Sequence, residues 1–392
     1  MNAPATISII SKSTHAARLS RVVRELAHRH GLSIAAITTA SPFADLEPFL
    51  NDHISAGRVN GLDWFTPERA RFSLDPCNLM PSARSILSVG VDYRSVDPDK
   101  PDDMPRGRIA RYAWGLDYHK LLKTRMRSLH RAMEREVGRS IEARFLVDTA
   151  RIVDRAVAAR SGLGWYGKNS CIIVPGHGSW VLLGELVLDL ELQPDEPLAK
   201  NCGRCQICLD RCPTGAISAP YTIETPRCLS FQTIEQRGSI PRELRAKMGD
   251  WVFGCDICQE VCPYTKAVTV DADPAFSPRT IDNAYPSLAR LLTMDQDGFS
   301  ALYAGTPVTR AKRRGLARNA VVVLGNIGTD DDLPLLLKAM TAHDEPLVRA
   351  HAAWAVGHIG GSQARNALES SLATELDETV IGEVRLALEA LP

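Results

Sequence analysis

The order of apolar and polar positions divides the chain into stretches of different period. "THAARLSRVVRELAHRHGL" places apolar residues at helical spacing and stops at Gly31, which predicts a helix. "SILSVGVDYR", Ser85 to Arg94, alternates and is rich in strand formers, which predicts a strand. "HKLLKTRMRSLHRAMEREVG" is amphipathic at the helical period and ends on Gly138. Beyond it "ARFLVDT" reads as a strand, "RIVDRAVAARSG" as a helix and "SWVLLGELVLDLEL" as one strand or a pair. This part is therefore expected to be an α/β domain, closed by the polar run Gln193 to Asn201. A cysteine-rich segment follows to about Lys266, and "DADPAFSPRTIDNAYPS" then reads as a linker. The remainder repeats itself. "LARNAVVVLGNIG" matches "VRAHAAWAVGHIG" at a period of 32, aligning Ala320 with Ala352, Gly325 with Gly357, Ile327 with Ile359 and Gly328 with Gly360. "VRLALEAL" begins a third, shorter unit, and short helical units that bury their faces on one another suit a small solenoid.

Length and composition narrow the setting. The chain has 392 residues, room for two or three domains, and 45% hydrophobic with 23% charged residues is usual for a soluble protein. A formal net charge of zero leaves no global field for nucleic acid or membrane, so such a partner needs a local patch. No charged segment leads into a long apolar run, and no stretch reaches the ~18 apolar residues of a membrane helix. A cytoplasmic protein without membrane association is expected.

Eight of the ten cysteines lie between Cys202 and Cys262, with only Cys77 and Cys171 outside. Cysteines confined to one segment of a long chain favour metal ligation in a reducing compartment over a disulfide scaffold. "NCGRCQICLDRCPTGAI" gives C-x₂-C-x₂-C-x₃-C-P through Cys202, Cys205, Cys208 and Cys212; "GCDICQEVCP" adds Cys255, Cys258 and Cys262, with Cys228 upstream. In the bacterial ferredoxin pattern the fourth cysteine of such a run ligates the other cluster of a pair. Cys202, Cys205, Cys208 and Cys262 then hold one 4Fe–4S cube, and Cys212, Cys228, Cys255 and Cys258 the other. Structural zinc sites of the Cys₄ type are the alternative. Two such clusters pass single electrons, and nearly 200 preceding residues point to an attached active site rather than a plain electron carrier.

Upstream, "SGLGWYGKN" contains Gly162, Gly164 and Gly167 in a G-x-G-x-x-G frame, with Glu185 about where a ribose-binding acid would fall. The frame follows a helix rather than a strand, so Gly162 reads as that helix's C′ residue, and the glycines are expected to let backbone approach a large flat ligand. Asp148 ends a buried strand. An apolar setting would raise its pKa and suit a general acid; capping of the next helix is the alternative. His119, Trp165 and Trp180 are expected to be structural, and Cys77 and Cys171 to ligate nothing. "TRAKRRGLARN" offers Arg310, Lys312, Arg313, Arg314 and Arg318 as a phosphate-binding or simply solvated face.

The ordered set "RYAWGLDYH", "VDTARIVDRAVAARSGLGWYGKNSCII", "GSWVLLGEL", "CGRCQICLDRCPTGAI", "CLSFQTIEQRG" and "GCDICQEVCPYTK" resembles the epoxyqueuosine reductases, from roughly Arg71 to the repeats. The resemblance implies a cobalamin-binding α/β domain (1–195), a ferredoxin-like domain with two 4Fe–4S clusters (196–270) and HEAT-like repeats (285–392). It implies reduction of epoxyqueuosine to queuosine in the anticodon stem-loop of tRNA, by a monomer served by an external electron donor. It carries the proton-donating aspartate to Asp148 and the cobalamin contacts to Arg71, Arg111, Asp148, Lys168, Ser170, Ile172 and Leu183, with Asp256 beside a cluster. Where many members have proline and glutamate after the aspartate, this chain has Arg151 and Asp154. A cobalamin-dependent reductive dehalogenase is the rival reading, though those enzymes usually carry a twin-arginine export signal, absent here.

Overall fold

The computed structural model describes residues 4–266 and 273–391. Helix α1 (Pro4–Arg29) leads into β1 (Ile34–Thr39), and β2 spans Ser85–Asp92. Helix α2 (Tyr118–Val137), β3 (Ala143–Leu146), α3 (Asp154–Arg160) and β4 (Val181–Leu188) complete the α/β part. The sheet runs β1-β2-β4-β3 with every pairing antiparallel. Ser88 lies opposite Glu185 and Leu146 opposite the same residue. An antiparallel sheet cannot be the parallel dinucleotide-binding fold that G-x-G-x-x-G raised. "SWVLLGELVLDLEL" forms one strand rather than two.

Helix α2 forms for reasons visible in its sequence. The Asp117 carboxylate accepts from the His119 backbone N–H at 3.0 Å, and Gly138 closes the helix at φ 71°. Between them Leu122, Met126, Leu129 and Met133 form one buried stripe against the sheet. Strand β1 was not legible, because "IAAITT" has weak alternation and gains its identity by pairing with β2, more than 45 residues on. Helix α3 is shorter than its pattern. Residues 151–153 stay outside it, with Ile152 buried and Arg151 stacked 5.3 Å from the Phe72 ring.

In the C-terminal part α4 (Lys312–Ile327), α5 (Pro346–Ile359) and α6 (Glu378–Ala390) are the repeated helices, packed in series. Their repeated glycines mark the crossings. A Cβ on Gly325 would stand 2.8 Å from that of Ala355, and one on Gly357 2.8 Å from that of Ala387.

The segment read as a linker is not free, although Asp271 and Ala272 fall outside the described residues. Phe276 is fully buried, Leu116 N–H donates to Ala275 O at 2.8 Å, and Arg106 pairs with Asp282 at 3.0 Å. A Cβ on Gly115 would strike Ala275 O at 2.2 Å. This stretch therefore pins the loop that leads into α2. Among the described residues no helix is long and apolar enough to cross a membrane.

Arg318 is 1% exposed and departs from the phosphate-binding expectation. Its guanidinium donates to Gln232 O, Gln236 O and Gly238 O, each at 2.7 Å, while Asn319 Nδ2 donates to Thr233 O and Val252 O at 2.8 Å. These bonds fasten the repeats to the cysteine segment. Replacing Arg318 by Leu leaves three buried carbonyls without a donor, so unfolding free energy should fall by about 3 kcal/mol or more. Chemical denaturation measures this; a change below ~0.5 kcal/mol would contradict the role.

Candidate active site and cysteine centres

The two cysteine runs fold alike. Each places a four-residue helix, Ile207–Asp210 or Ile257–Glu260, between its cysteines and ends on a Cys-Pro step. Cys202, Cys205, Cys208 and Cys262 line one closed-in cavity together with Lys168, Asn169, Ile173 and Tyr264. The other four are electrostatic neighbours: Cys228 feels Cys212, Cys255 feels both, and Cys258 feels Cys255 and Cys228. The last cysteine of each run thus joins the first three positions of the other set. Burial pushes the Cys208 thiol up to about 11 and raises Cys228 and Cys255. Four thiolates in such places need cationic charge among them.

The loop after β5 (Trp165–Tyr166) clamps both sets. Lys168 Nζ donates to Gly203 O at 2.8 Å and Asn169 Nδ2 to Cys258 O at 3.3 Å. Lys168 thus serves the first cysteine loop with its ammonium group. The Cys171 side chain lies beside that of Cys258, a proximity not expected from sequence. Trp165 and Trp180 are buried, as expected of packing residues.

Asp148 lies between β3 and α3 at φ 48°, a left-handed conformation that non-glycine residues rarely adopt. It does not cap α3, whose first residue is six positions on. Its Oδ2 accepts from Tyr118 OH at 2.9 Å and meets His119 Nε2 at 3.1 Å, while Oδ1 has no hydrogen-bond partner among the described residues. Burial works to raise the pKa, but the hydrogen bonds from His119 and Tyr118 outweigh it and hold it below the usual carboxylate value. The sequence-based expectation of a raised pKa is therefore corrected: polar donors surround this acid, not an apolar wall alone. His119, expected to be structural, bridges Asp117 and Asp148.

The surroundings of Asp148 are enclosed yet open. Its side chain is 53% exposed and that of Arg155 53%, yet desolvation by surrounding protein is the largest influence on both. Groups ringed by protein that still meet solvent line a concavity. Arg155 spans it, donating to Ser170 O at 3.0 Å, and Ser170 is itself at φ 62°. Ile172 and Leu183 pack together beside Ala158 on the same side of the sheet. Behind them Glu185 is fully buried with both carboxylate oxygens unpartnered, and burial pushes its pKa well up.

Other residues carried from the resemblance stand further off. Arg111 directs its guanidinium to Asp97 at 2.5 Å and lies between the Trp114 and Trp180 rings at 5.0 and 5.3 Å. Its backbone N–H donates to buried Asp256 at 2.7 Å; burial first, against that bond, pushes Asp256 up to about 6. Arg71 is exposed and pairs with Glu47 at 3.1 Å. The glycines also serve the chain itself. Gly162 ends α3, with its N–H on Ala159 O and that of Leu163 on Ala158 O, a Schellman closure. A Cβ on Gly164 would collide with Ile172 and Ile173, so the close approach is to the chain's own hairpin rather than to a ligand.

Residues 74–149 match the family described as epoxyqueuosine reductase QueG, DUF1730, residues 201–265 a 4Fe-4S double cluster binding domain, and residues 308–389 HEAT repeats. The cysteine segment thus belongs to iron–sulfur clusters, and the zinc alternative falls. The epoxyqueuosine reductase of Xanthomonas campestris pv. campestris is 37% identical over 86% of this chain and 95% of its own length. A crystal structure of an epoxyqueuosine reductase with a tRNA-Tyr epoxyqueuosine-modified stem loop has a TM-score of 0.89 at 33% identity, covering 95% of this chain and 99% of that one. The Bacillus subtilis enzyme, solved with an aspartate-bearing catalytic loop swung out of its active site, has a TM-score of 0.89 at 32% identity, covering 96% and 99%. With its three parts in the same order and a relative of that similarity along most of its length, this oxidoreductase chain belongs to the epoxyqueuosine reductase family.

Proposed function

We propose that the chain reduces epoxyqueuosine to queuosine at the wobble position of a tRNA, with electrons passing through two 4Fe–4S clusters to a cobalamin in the α/β domain and Asp148 donating the proton. The observation that carries this reading is the setting of Asp148. It is strained, half-exposed and open at Oδ1, and Arg155 and Cys171 connect its pocket to Cys258 of the buried cysteine set. The relative with a modified tRNA stem loop supports the substrate, and the relative solved with an aspartate-bearing catalytic loop swung out of its active site supports the acid.

The residues fit a large planar group in character. Ile172 and Leu183 offer an apolar wall, while Asp148, Arg155 and the strained Ser170 turn provide polar edges around an enclosed but open concavity. Ser170, Ile172 and Leu183 would hold a corrin there; Lys168, Arg111, Arg71 and Asp256 would act from behind or at the rim. Bound cobalamin would supply a strongly reducing cobalt centre, chemistry that belongs to the cofactor.

The remaining work falls to the chain. Removing the epoxide oxygen as water takes two electrons and two protons. Asp148, whose Oδ1 has no hydrogen-bond partner among the described residues, delivers protons to the departing oxygen, while Tyr118 and His119 hold the carboxyl at Oδ2 between deliveries. Unpaired anticodon bases can enter such a pocket with their phosphates held outside. Arg310 and Arg314 are about half exposed, although Arg310 is paired with Glu235 at 2.8 Å, and Lys312 is exposed. Arg313 is engaged by Asp344 at 2.6 Å.

Asp148→Asn should retain clusters and cobalamin and lose ~10²–10⁴ in turnover, read by anaerobic single-turnover reaction and nucleoside mass analysis. Near-normal reduction would remove Asp148 from the mechanism. The crosswise sharing of cysteines predicts that Cys212→Ser and Cys258→Ser leave the same residual EPR signal and about half the iron, whereas Cys208→Ser leaves a different one. If Cys212→Ser instead matches Cys208→Ser, each run holds its own cluster. Binding of the tRNA stem-loop should weaken steeply with salt, and Lys312→Ala should lower the slope by about one. An unchanged slope in titrations would take Lys312 off the phosphate path.

A further inference from the structure

The carboxyl assigned to proton delivery has an imidazole within hydrogen-bond distance, and that imidazole reaches solvent on its other side. His119 Nδ1 lies 2.8 Å from Asp117 Oδ1, and Nε2 lies 3.1 Å from Asp148 Oδ2. The ring also stacks on Tyr118 with centroids 4.1 Å apart, and its side chain is 29% exposed. One imidazole therefore joins solvent, an orienting carboxylate and the proton-donating carboxylate.

We propose that His119 is the proton supplier of Asp148, with Asp117 fixing its ring as the positioning partner. This deepens the reading of Asp148 above and rests on it. The Nε2–H bond of the imidazolium breaks as an O–H bond forms at Asp148 Oδ2. The imidazole is left neutral, with its Nδ1–H still donated to Asp117. The carboxyl turns about its broad two-fold torsion and gives the proton to the departing oxygen, becoming carboxylate again. His119 regains a proton from water through its exposed edge, so the cycle can serve both protons of one turnover. No electrons move in these steps.

The electrostatics agree with this order. Burial opposes charge on the ring, yet the hydrogen bonds to Asp148 and Asp117 prevail and raise its pKa, while the same contact lowers that of Asp148. The contact between the two groups thus favours the charged form of each. The other groups facing the pair are Tyr118 on α2, Asp154 and Arg155 on α3, Glu185 on β4, Tyr112 on the pinned loop, and Arg310, itself paired with Glu235, ahead of α4. Arg155 and Arg310 favour the ionised form of Asp148, which keeps the proton on His119 until substrate burial shifts the balance.

The test uses the holoenzyme and three variants. His119→Gln should bind tRNA and retain cobalamin and iron as the parent does, while its single-turnover rate falls by about 10²-fold. In the parent that rate should decline as pH rises through the raised His119 pKa; the Gln variant should lose this limb. Asp117→Asn should move the limb to lower pH. Independently of turnover, acylation of His119 by diethyl pyrocarbonate, followed by mass spectrometry, should report a pKa above ~6.5 that drops in Asp148→Asn. A slower His119→Gln enzyme with the parent's pH limb overturns the proposal in favour of a structural role, as does His119 titrating at or below the ordinary value. Parent-like turnover by Asp148→Asn overturns the reading of Asp148 and this proposal together. An inactive Asp148→Asn beside a parent-like His119→Gln overturns the histidine alone.

Discussion

Eight thiols gathered within about sixty residues, none of them fully exposed, would repel one another once ionised, and the fold around them is organised by that constraint. Burial raises Cys208, Cys228 and Cys255, and cationic centres among the sulfurs would offset that cost. Each run places its last cysteine beside the other run's set, so the two loops meet at both groups of thiols. The segment also buries apolar side chains of its own, among them Leu229, Met248, Val252 and Phe253. Its neighbours supply the rest: Trp165 and Ile173 pack against Cys202 and Cys262, and Asn319 and Arg318 take up its backbone carbonyls.

That arrangement carries through to the catalytic side. The Lys168–Ser170 turn touches both cysteine loops by hydrogen bonds, so its own position depends on theirs. The same turn offers Ser170 O to Arg155, which stands beside Asp148. From the opposite side the segment around Phe276 seats Gly115 and Leu116, fixing the start of α2, where Asp117, Tyr118 and His119 gather. A redox centre and a proton site can then be held in fixed relation without sharing a secondary-structure element.

Much of this was legible because it rests on local chemistry. Cysteine spacing, helix stops at Gly31, Gly138 and Gly162, and an aspartate at a strand end all leave a mark in a short window. The misread features depend on distant partners. β1 exists because β2 lies beside it; Arg318 looks like a surface arginine until carbonyls from residues 232–238 close over it; the supposed linker is pinned by Gly115 and Arg106. The pKa of Asp148 could not be read from "FLVDT", since the donors that lower it come from thirty residues upstream. The Asp-Tyr-His triplet did carry a signal. Asp117 caps α2, and the first turn of a capped helix places its next two side chains near the cap, which made a joint site at "DYH" readable.

Backbone strain gives the last connection. Four non-glycine residues among those described have positive φ: Asp148, Ser170, Tyr221 and Lys312. Three of them border the same region, since Tyr221 N–H donates to Lys168 O at the base of the Ser170 turn. Each such residue costs on the order of 1–3 kcal/mol and persists only where its neighbours impose it. Arg155 bonds the strained Ser170 and Tyr118 with His119 the strained Asp148, and the latter two bonds also lower the pKa of the acid. The carboxylate oxygen that carries these bonds thus belongs to a residue whose backbone conformation is itself costly, so the local strain and the altered acidity meet on one side chain.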